Sequence, residues 1–318
     1  NQGQFTTVIE QAQIQLNQYP LAIIIWNILG ISYSKLGILD QAVVVFKKII
    51  SIKPNYAEAY NNLGITLRDQ GKFDDAVEVM YKALSLKPDN STTYFNIGVT
   101  LHKQGKLDQS IEAYDRAILI KPDYAESYNN KGVVLKDQGK FEQALEAYNK
   151  AISLKPDHAD VFNNLGVTLK DQGKIHEAIE AYKKSIFIDN DHIEAHVNIG
   201  IALQDLGKID EAIKVYKKSI SINPKYTNAY YNIGNAYKDQ GNMDDALEAY
   251  NKALKLDPNF AEVHSNMASI LQEKGKLQES INACKKSISI KPDYPETYNN
   301  MGNVLNQLGQ FEEATKAF

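Results

Sequence analysis

The sequence predicts an all-α solenoid of tandem 34-residue helix-turn-helix units, and three observations carry that expectation. Glycines stand at 30, 64, 98, 132, 166, 200, 234 and 302, always a multiple of 34 residues apart, with Ala268 in the vacant place. A second series is unbroken: Gly37, Gly71, Gly105, Gly139, Gly173, Gly207, Gly241, Gly275 and Gly309. Prolines keep the same period at 54, 88, 122, 156, 224, 258 and 292, with Asn190 standing in once. A fixed period of this size marks stacked supersecondary units, each packed only on its neighbours.

The units are justified in chain order. Residues 1–22 read as half a unit, 23–294 as eight complete units without insertion, and 295–318 as a ninth that stops within its second helix. The whole chain is therefore one array. Each unit opens with a helix of about fourteen residues that ends at a turn such as "DQGK", where glycine supplies the left-handed conformation at low cost. The second helix runs to "KPD" or "NPK", because proline cannot continue a helix interior. Neither end shows a polar capping unit, and the first residue is Asn1, so the chain is expected to be a processed or excised piece of a longer one.

Within the unit that begins at Ala125, positions 4, 7, 8 and 11 are Tyr128, Lys131, Gly132 and Leu135. At about 100° per residue they share a face, the expected packing face of the first helix. The second helix answers with Ala144, Tyr148 and Ala151. Small residues let the helices approach while the aromatic fills the gap. Lys131 is expected to lay its stem along the seam with its ammonium outside.

Position 6 is the anomaly. It is Asn62, Asn96, Asn130, Asn164, Asn198, Asn232, Asn266 and Asn300, and only Ile28 of the first unit departs. Asparagine is a mediocre helix former, and the wheel sets position 6 opposite the packing face, with positions 2, 9 and 13. Two readings stand: duplicated surface polars, or a column of carboxamides whose donors and acceptor grip the main chain of an extended peptide. Asn129, at position 5, is expected beside the column.

The aromatic, Leu-Gly, Gly, Ala, Tyr and Pro pattern at this period resembles the tetratricopeptide repeat, over essentially the whole chain. The resemblance implies antiparallel helix pairs in a right-handed superhelix, with the first helices lining a concave groove. The stretches "AEVHSNMASILQEKGKLQES" (261–280) and "YNNMGNVLNQLGQ" (298–310) are similar to the repeat region of the O-linked N-acetylglucosamine transferase family. That likeness implies that the eight position-6 asparagines form a ladder holding client peptides. Nothing in the chain resembles the transferases' catalytic domain. The expected function is a non-catalytic scaffold that binds extended peptides or proteins. The alternative is a recruitment domain for such a transferase whose catalytic part is absent from these residues.

The groove so implied is uneven. Position 9 is Ile31, Ile65, Val99, Val133, Val167 and Ile201, then Asn235, Ser269 and Asn303. Acids at positions 2 and 13 flank the column, and bases at position 12 partly offset them, which suits polar or weakly basic peptides and lacks an Arg cluster for acidic tails.

Other functions find little support. A charge of -4 with dispersed Lys and Arg argues against nucleic acid. "LAIIIW" is too short to cross a bilayer, so no membrane partner is expected. The single cysteine, Cys284, rules out an internal disulfide framework and suits a cytoplasmic or other reducing intracellular compartment. It replaces the recurrent tyrosine of the second helix and is expected to be a packed thiol. His196 and His264 occupy the aromatic position 4. His192 and His196 are four apart but straddle a unit boundary, with no cysteine to complete a metal set. No catalytic residue, metal or cofactor is expected. The sequon at Asn90 reads as a chance match. The resemblance allows a homo-oligomer through the convex face, but no isolated apolar patch predicts one here.

Overall fold

The computed structural model describes residues 2–317, so Asn1 and Phe318, the ends of the expected array, lie outside it. The chain divides into two compact units, residues 1–157 and 158–318, each taken by itself. In the first, α1 spans Gln2–Gln18, α2 Ile23–Lys35, α3 Leu39–Ile52, α4 Ala57–Asp69 and α5 Phe73–Leu86. They are followed by α6 Ser91–Lys103, α7 Leu107–Ile120, α8 Ala125–Asp137 and α9 Phe141–Leu154. In the second, α10 spans Ala159–Asp171, α11 Ile175–Ile188, α12 Ile193–Asp205, α13 Ile209–Ile222 and α14 Thr227–Asp239. The rest are α15 Met243–Leu256, α16 Ala261–Glu273, α17 Leu277–Ile290, α18 Pro295–Gln307 and α19 Phe311–Ala317. Among the described residues every regular element is a helix, and the fold is an all-α solenoid of consecutive helix pairs.

The turns follow from the glycines. Gly139 has φ 73°, and the amides after α8 fold back, with Gly139 N–H on Lys136 O at 2.8 Å and Lys140 N–H on Leu135 O at 2.9 Å. This closes the helix with a residue that pays no Cβ penalty there. The turn glutamine then clasps the neighbouring pair: the Nε2 of Gln70, Gln104 and Gln138 donates to Asp40, Asp74 and Asp108 at 2.8–2.9 Å. The function of this glutamine was not read from the sequence, although its 34-residue recurrence was visible.

The core is the set of seams between helices. Tyr114, Tyr148, Tyr182, Tyr216 and Tyr250 of the second helices are fully buried, with Ala144 and Ala151 beside them as expected. Each ring lies under the glycine at position 8 of its partner helix. A Cβ on Gly132 would stand 2.6 Å from Cε1 of Tyr148, closer than real carbons approach. Lys131 places its ammonium 2.6 Å from Asp115, as its snorkelling stem implied.

The first helices are buried on more sides than one wheel face. Position 3 (Ala59, Thr93, Ser127) and position 10 (Thr66, Thr100, Val134) are at most 1% exposed, whereas the expected packing residues Tyr60, Tyr94 and Tyr128 are half-buried. The reason is topological. A first helix packs on its own second helix, on the preceding second helix, and on the first helices either side, as α4 does with α5, α3, α2 and α6. Position 4 instead stitches the preceding loop: Trp26, Tyr60, His196 and His264 each reach the carbonyl six residues back, at 2.9–3.1 Å. The ring at that place supplies a donor as well as bulk, which fixes Nε2–H on both histidines.

Candidate functional site

The position-6 asparagines do not stand on an open surface. Asn96 is buried and the other seven are half-buried, because neighbouring first helices touch along the edge that carries positions 5 and 6. The Nδ2 of Asn62 donates to Asn27 Oδ1 at 3.1 Å, Asn96 to Asn61 at 3.1 Å and Asn198 to Asn163 at 2.9 Å. Asn300 makes the same reach to Ser265 Oγ at 3.2 Å. Each bond spans 35 residues, from position 6 of one unit to position 5 of the unit before it. At Asn27, Asn61, Asn163 and Ser265 position 5 is thus the acceptor half of the column rather than its flank. Asn129 itself is 7% exposed and donates to Asn130 Oδ1 at 3.2 Å.

Where position 5 is not polar the pattern bends. Behind Asn130 stands Phe95, whose ring packs on Tyr114 and Tyr124 with centroids 5.8 and 5.3 Å away. Asn130 turns to the Tyr114 hydroxyl, whose ionisation burial pushes up to about 12. Behind Asn266 stands Tyr231, and Asn266 bonds Asn235 Oδ1 at 2.8 Å, which also receives the Tyr250 hydroxyl at 2.6 Å. Behind Asn232 stands Val197, which has no acceptor. Asn164 lies half-buried on the same face. The column is therefore a preorganised strip in which Nδ2 groups hold the seams and fix the direction in which the carbonyl oxygens face. The O and N of a carboxamide are told apart here by the bonds they make.

Beside the column, Ile31 is 39% exposed, and Ile65, Val99, Val133, Val167 and Ile201 are half-buried, so the apolar strip is present in both units. Charges on this face are tied together, between successive first helices or between neighbours on one helix. His102 meets Asp137 at 2.8 Å, Lys170 meets Asp205 at 3.4 Å, and Arg68 and Lys136 meet their neighbours Asp69 and Asp137. Burial works to raise the Asp137 carboxyl, but the bonds from His102 and Lys136 outweigh it and hold the group below the usual range.

The residues weighed for chemistry have structural partners. His192 caps α12: its Nδ1 accepts from the amide of Ala195 at 3.2 Å, so Nε2 carries the proton toward Asp160 at 3.1 Å. Cys284 is buried, and burial pushes its thiol up to about 11, the state of an inert packed cysteine. Asn90 of the sequon caps α6 by accepting from Thr93 N–H at 3.2 Å. Among the described residues no group of three His, Cys, Asp or Glu is placed to hold a metal, and no helix is long and apolar enough to cross a membrane.

Family models describe the same repeat. One described as "TPR repeat" matches residues 64–105, 100–139, 134–173, 166–207, 202–241 and 268–309. Others, described as "Tetratricopeptide repeat", match 227–260, 45–78, 249–282 and 23–56. No curated protein matches the chain in sequence. Among solved structures, the APC/C hetero-tetramer Cut9-Hcn1 aligns with a TM-score of 0.64 at 19% identity, covering 84% of this chain and 52% of that one. This chain therefore spans about half the length of that relative. Pseudomonas aeruginosa pilF aligns with a TM-score of 0.57 at 17% identity, covering 65% of this chain and 94% of its own. At such identities the likeness is one of fold.

Proposed function

The chain belongs to the tetratricopeptide repeat family, and from that premise we propose that it is a binding scaffold that holds extended peptides or protein segments against its first helices. The observation that carries this reading is the carboxamide column. Asn62, Asn96, Asn198 and Asn300 are held in place by bonds to the preceding unit. A group fixed before binding loses little rotamer entropy when a ligand arrives. Carboxamides address main chain whatever the side chains, so the scaffold accepts sequences of varied composition. Asn62, Asn96, Asn130, Asn164, Asn198, Asn232, Asn266 and Asn300 are the proposed peptide-binding residues, with position 9 offering an apolar strip alongside.

The test is a calorimetric or fluorescence titration of a bound peptide against the variant with Asn130, Asn164, Asn198 and Asn232 all changed to alanine. Melting is followed in parallel. Each hydrogen bond contributes about 0.5–1.5 kcal/mol, so four together remove most of the affinity. Unchanged affinity in a folded variant returns these asparagines to a purely structural role at the seams.

A finer reading makes this array the recruitment part of a transferase of the O-linked N-acetylglucosamine type. The regular recurrence of the asparagines and the stretches at 261–280 and 298–310 favour it. Whether the natural protein carries a catalytic domain of that type decides it. A reducing intracellular compartment is the proposed location, on the strength of the single thiol, and cell fractionation checks it.

A further inference from the structure

The second helices carry a recurrent serine in their last turn, and in two of them a large apolar residue replaces it. Ser51, Ser85, Ser153, Ser221 and Ser289 turn their hydroxyls onto the carbonyl three residues back, at 2.7–2.8 Å. The same place is Lys255 in α15, but Leu119 in α7 and Phe187 in α11. Leu119 is 72% exposed and Phe187 is 91% exposed. A lone exposed apolar residue is ordinary on a protein surface, so the ring by itself names no partner. Its surroundings do.

In the second unit, α11, α12 and α13 enclose an open groove of about 540 Å³ whose floor is Ile179, Ile186, Ile199, Leu203 and Val215. His176, Glu180 and Lys183 line it from α11, and Phe187 continues that row at helical spacing, four residues beyond Lys183 and seven beyond Glu180. The ring therefore stands at the end of the groove's own rim. The equivalent groove beside Leu119 is different. Lys131 lines it in the place of Ile199 and pairs with Asp115 at 2.6 Å, which puts an ion pair across the gap between α8 and α7. Exposed ring and open apolar groove thus coincide at α11–α13.

The rim carries both signs of charge. Glu180 and Glu211 stand beside Lys183, Lys208 and Lys214. The pairs formed locally, Glu180–Lys183 at 2.8 Å and Lys208–Glu211 at 3.9 Å, are exposed and exchange at little cost. A partner of one sign would meet like charges there. A second copy of the same surface brings both signs and an apolar ring as well.

We propose that this face joins two copies of the chain in a two-fold contact, the Phe187 ring of each seated in the α11–α13 groove of the other. In such a contact one patch meets itself, so a ring beside a hollow is matched twice. Each ring buries about 150–250 Å², and the two together make up about a quarter of a standard interface of about 1,600 Å². The ridges of α11 and α13, with their exchanged Glu–Lys pairs, supply the rest. Such a contact belongs at the weak end, with a dissociation constant on the order of micromolar. Ile199 and Leu203 lie well round α12 from Asn198, so both copies keep the asparagine face free. The patch is hidden along the sequence because its members come from three helices.

The experiment is sedimentation velocity on the full chain from about 1 to 300 μM, where a contact of that strength passes from monomer to dimer. Phe187→Ser installs the residue found at five equivalent places and should raise the dissociation constant at least roughly tenfold. Ile199→Lys copies Lys131 and should do the same. Leu119→Ser, a like loss of exposed apolar surface in the first unit, should leave association unchanged. Melting of each variant is followed in parallel. A photoreactive benzophenone side chain at position 187 should, on irradiation, join one copy to the 175–215 segment of another. A chain that stays monomeric across the range overturns the inference, and the ring then serves a different protein. A dimer that survives Phe187→Ser overturns it as well, as does one that Leu119→Ser weakens equally. If Ile199→Lys fails to fold, the photoproduct decides: a junction outside the groove means that the copies meet elsewhere, and the inference falls.

Discussion

The Nδ2 of Asn198 donates to the Oδ1 of Asn163 at 2.9 Å, joining the adjacent first helices α12 and α10 across 35 residues of sequence. The bond is half-buried and repeats between other units, so it belongs to the framework as well as to the candidate groove. A double-mutant cycle on Asn163→Ala and Asn198→Ala, followed by denaturant titration, should give a coupling of about 0.5–1.5 kcal/mol. Strict additivity of the two losses would show that the bond contributes nothing in solution.

That relationship also marks the limit of what the sequence disclosed. The period, the turns at Gly139 and its equivalents, and the buried Tyr148 were legible because each rests on local chemistry or on spacing within one helix. The partnership of positions 5 and 6 was not, because a helical wheel places residues on one cylinder and says nothing of which edge meets the next helix. Positions 3 and 10 were passed over for the same reason. Ala59 and Thr66 carry no strong hydrophobic signal, yet they are at most 1% exposed because α4 is packed on several sides. The signal that would have found the column is the recurrence of polar residues at 27, 61, 129, 163 and 265, each 35 places before a position-6 asparagine.

Gly132 and Tyr148 form a lock that admits no added carbon. Gly132→Ala puts a Cβ 2.6 Å from Cε1 of the fully buried ring, so it should cost about 1–3 kcal/mol despite alanine's better helix propensity. Tyr148→Gly empties the seam and should cost about 3–5 kcal/mol. Combining Gly132→Ala with Tyr148→Leu should cost less than the sum of the two single changes, since a shorter side chain clears the added methyl. A full sum in denaturant titration would break the assignment of this contact.

The buried tyrosines set an alkaline limit on stability. Burial lifts the ionisation of Tyr114 from its ordinary value of 10 to about 12, and lifts Tyr182, Tyr216 and Tyr250 further. An acid whose folded value is raised keeps its full contribution below pH 10. Above that, the unfolded chain ionises first, and stability falls by at most about 1.4 kcal/mol per pH unit for each phenol. Chemical denaturation should therefore give a plateau below pH 10 and a steep fall from 10 to 12. Tyr182→Phe removes a hydroxyl that has no partner, so it should leave stability at neutral pH unchanged or slightly higher and make the alkaline fall shallower. An unaltered alkaline profile in that variant would mean that its phenol ionises without unfolding the chain.

The column can be extended where it is interrupted. The residue 35 places before Asn232 is Val197, which is 5% exposed and offers no acceptor, whereas the same place before Asn198 is Asn163. If position 5 acts as the acceptor of the next unit, Val197→Asn should create a bond to Asn232 that the natural chain lacks. The substitution also gives up the burial of an apolar side chain, on the order of 1–2 kcal/mol, so its net effect on stability does not by itself report the bond. The informative quantity is the cost of Asn232→Ala in two backgrounds. In the natural chain that change removes no bond to position 5 and should cost less than about 0.5 kcal/mol, because alanine is the better helix former. In the Val197→Asn background it leaves a buried carboxamide without its partner and should cost about 1–3 kcal/mol. The difference, read from paired denaturant titrations, isolates the new rung from the loss of valine. Equal costs in both backgrounds would mean that the bonds at Asn62, Asn96 and Asn198 depend on local surroundings rather than on a rule built into the repeat.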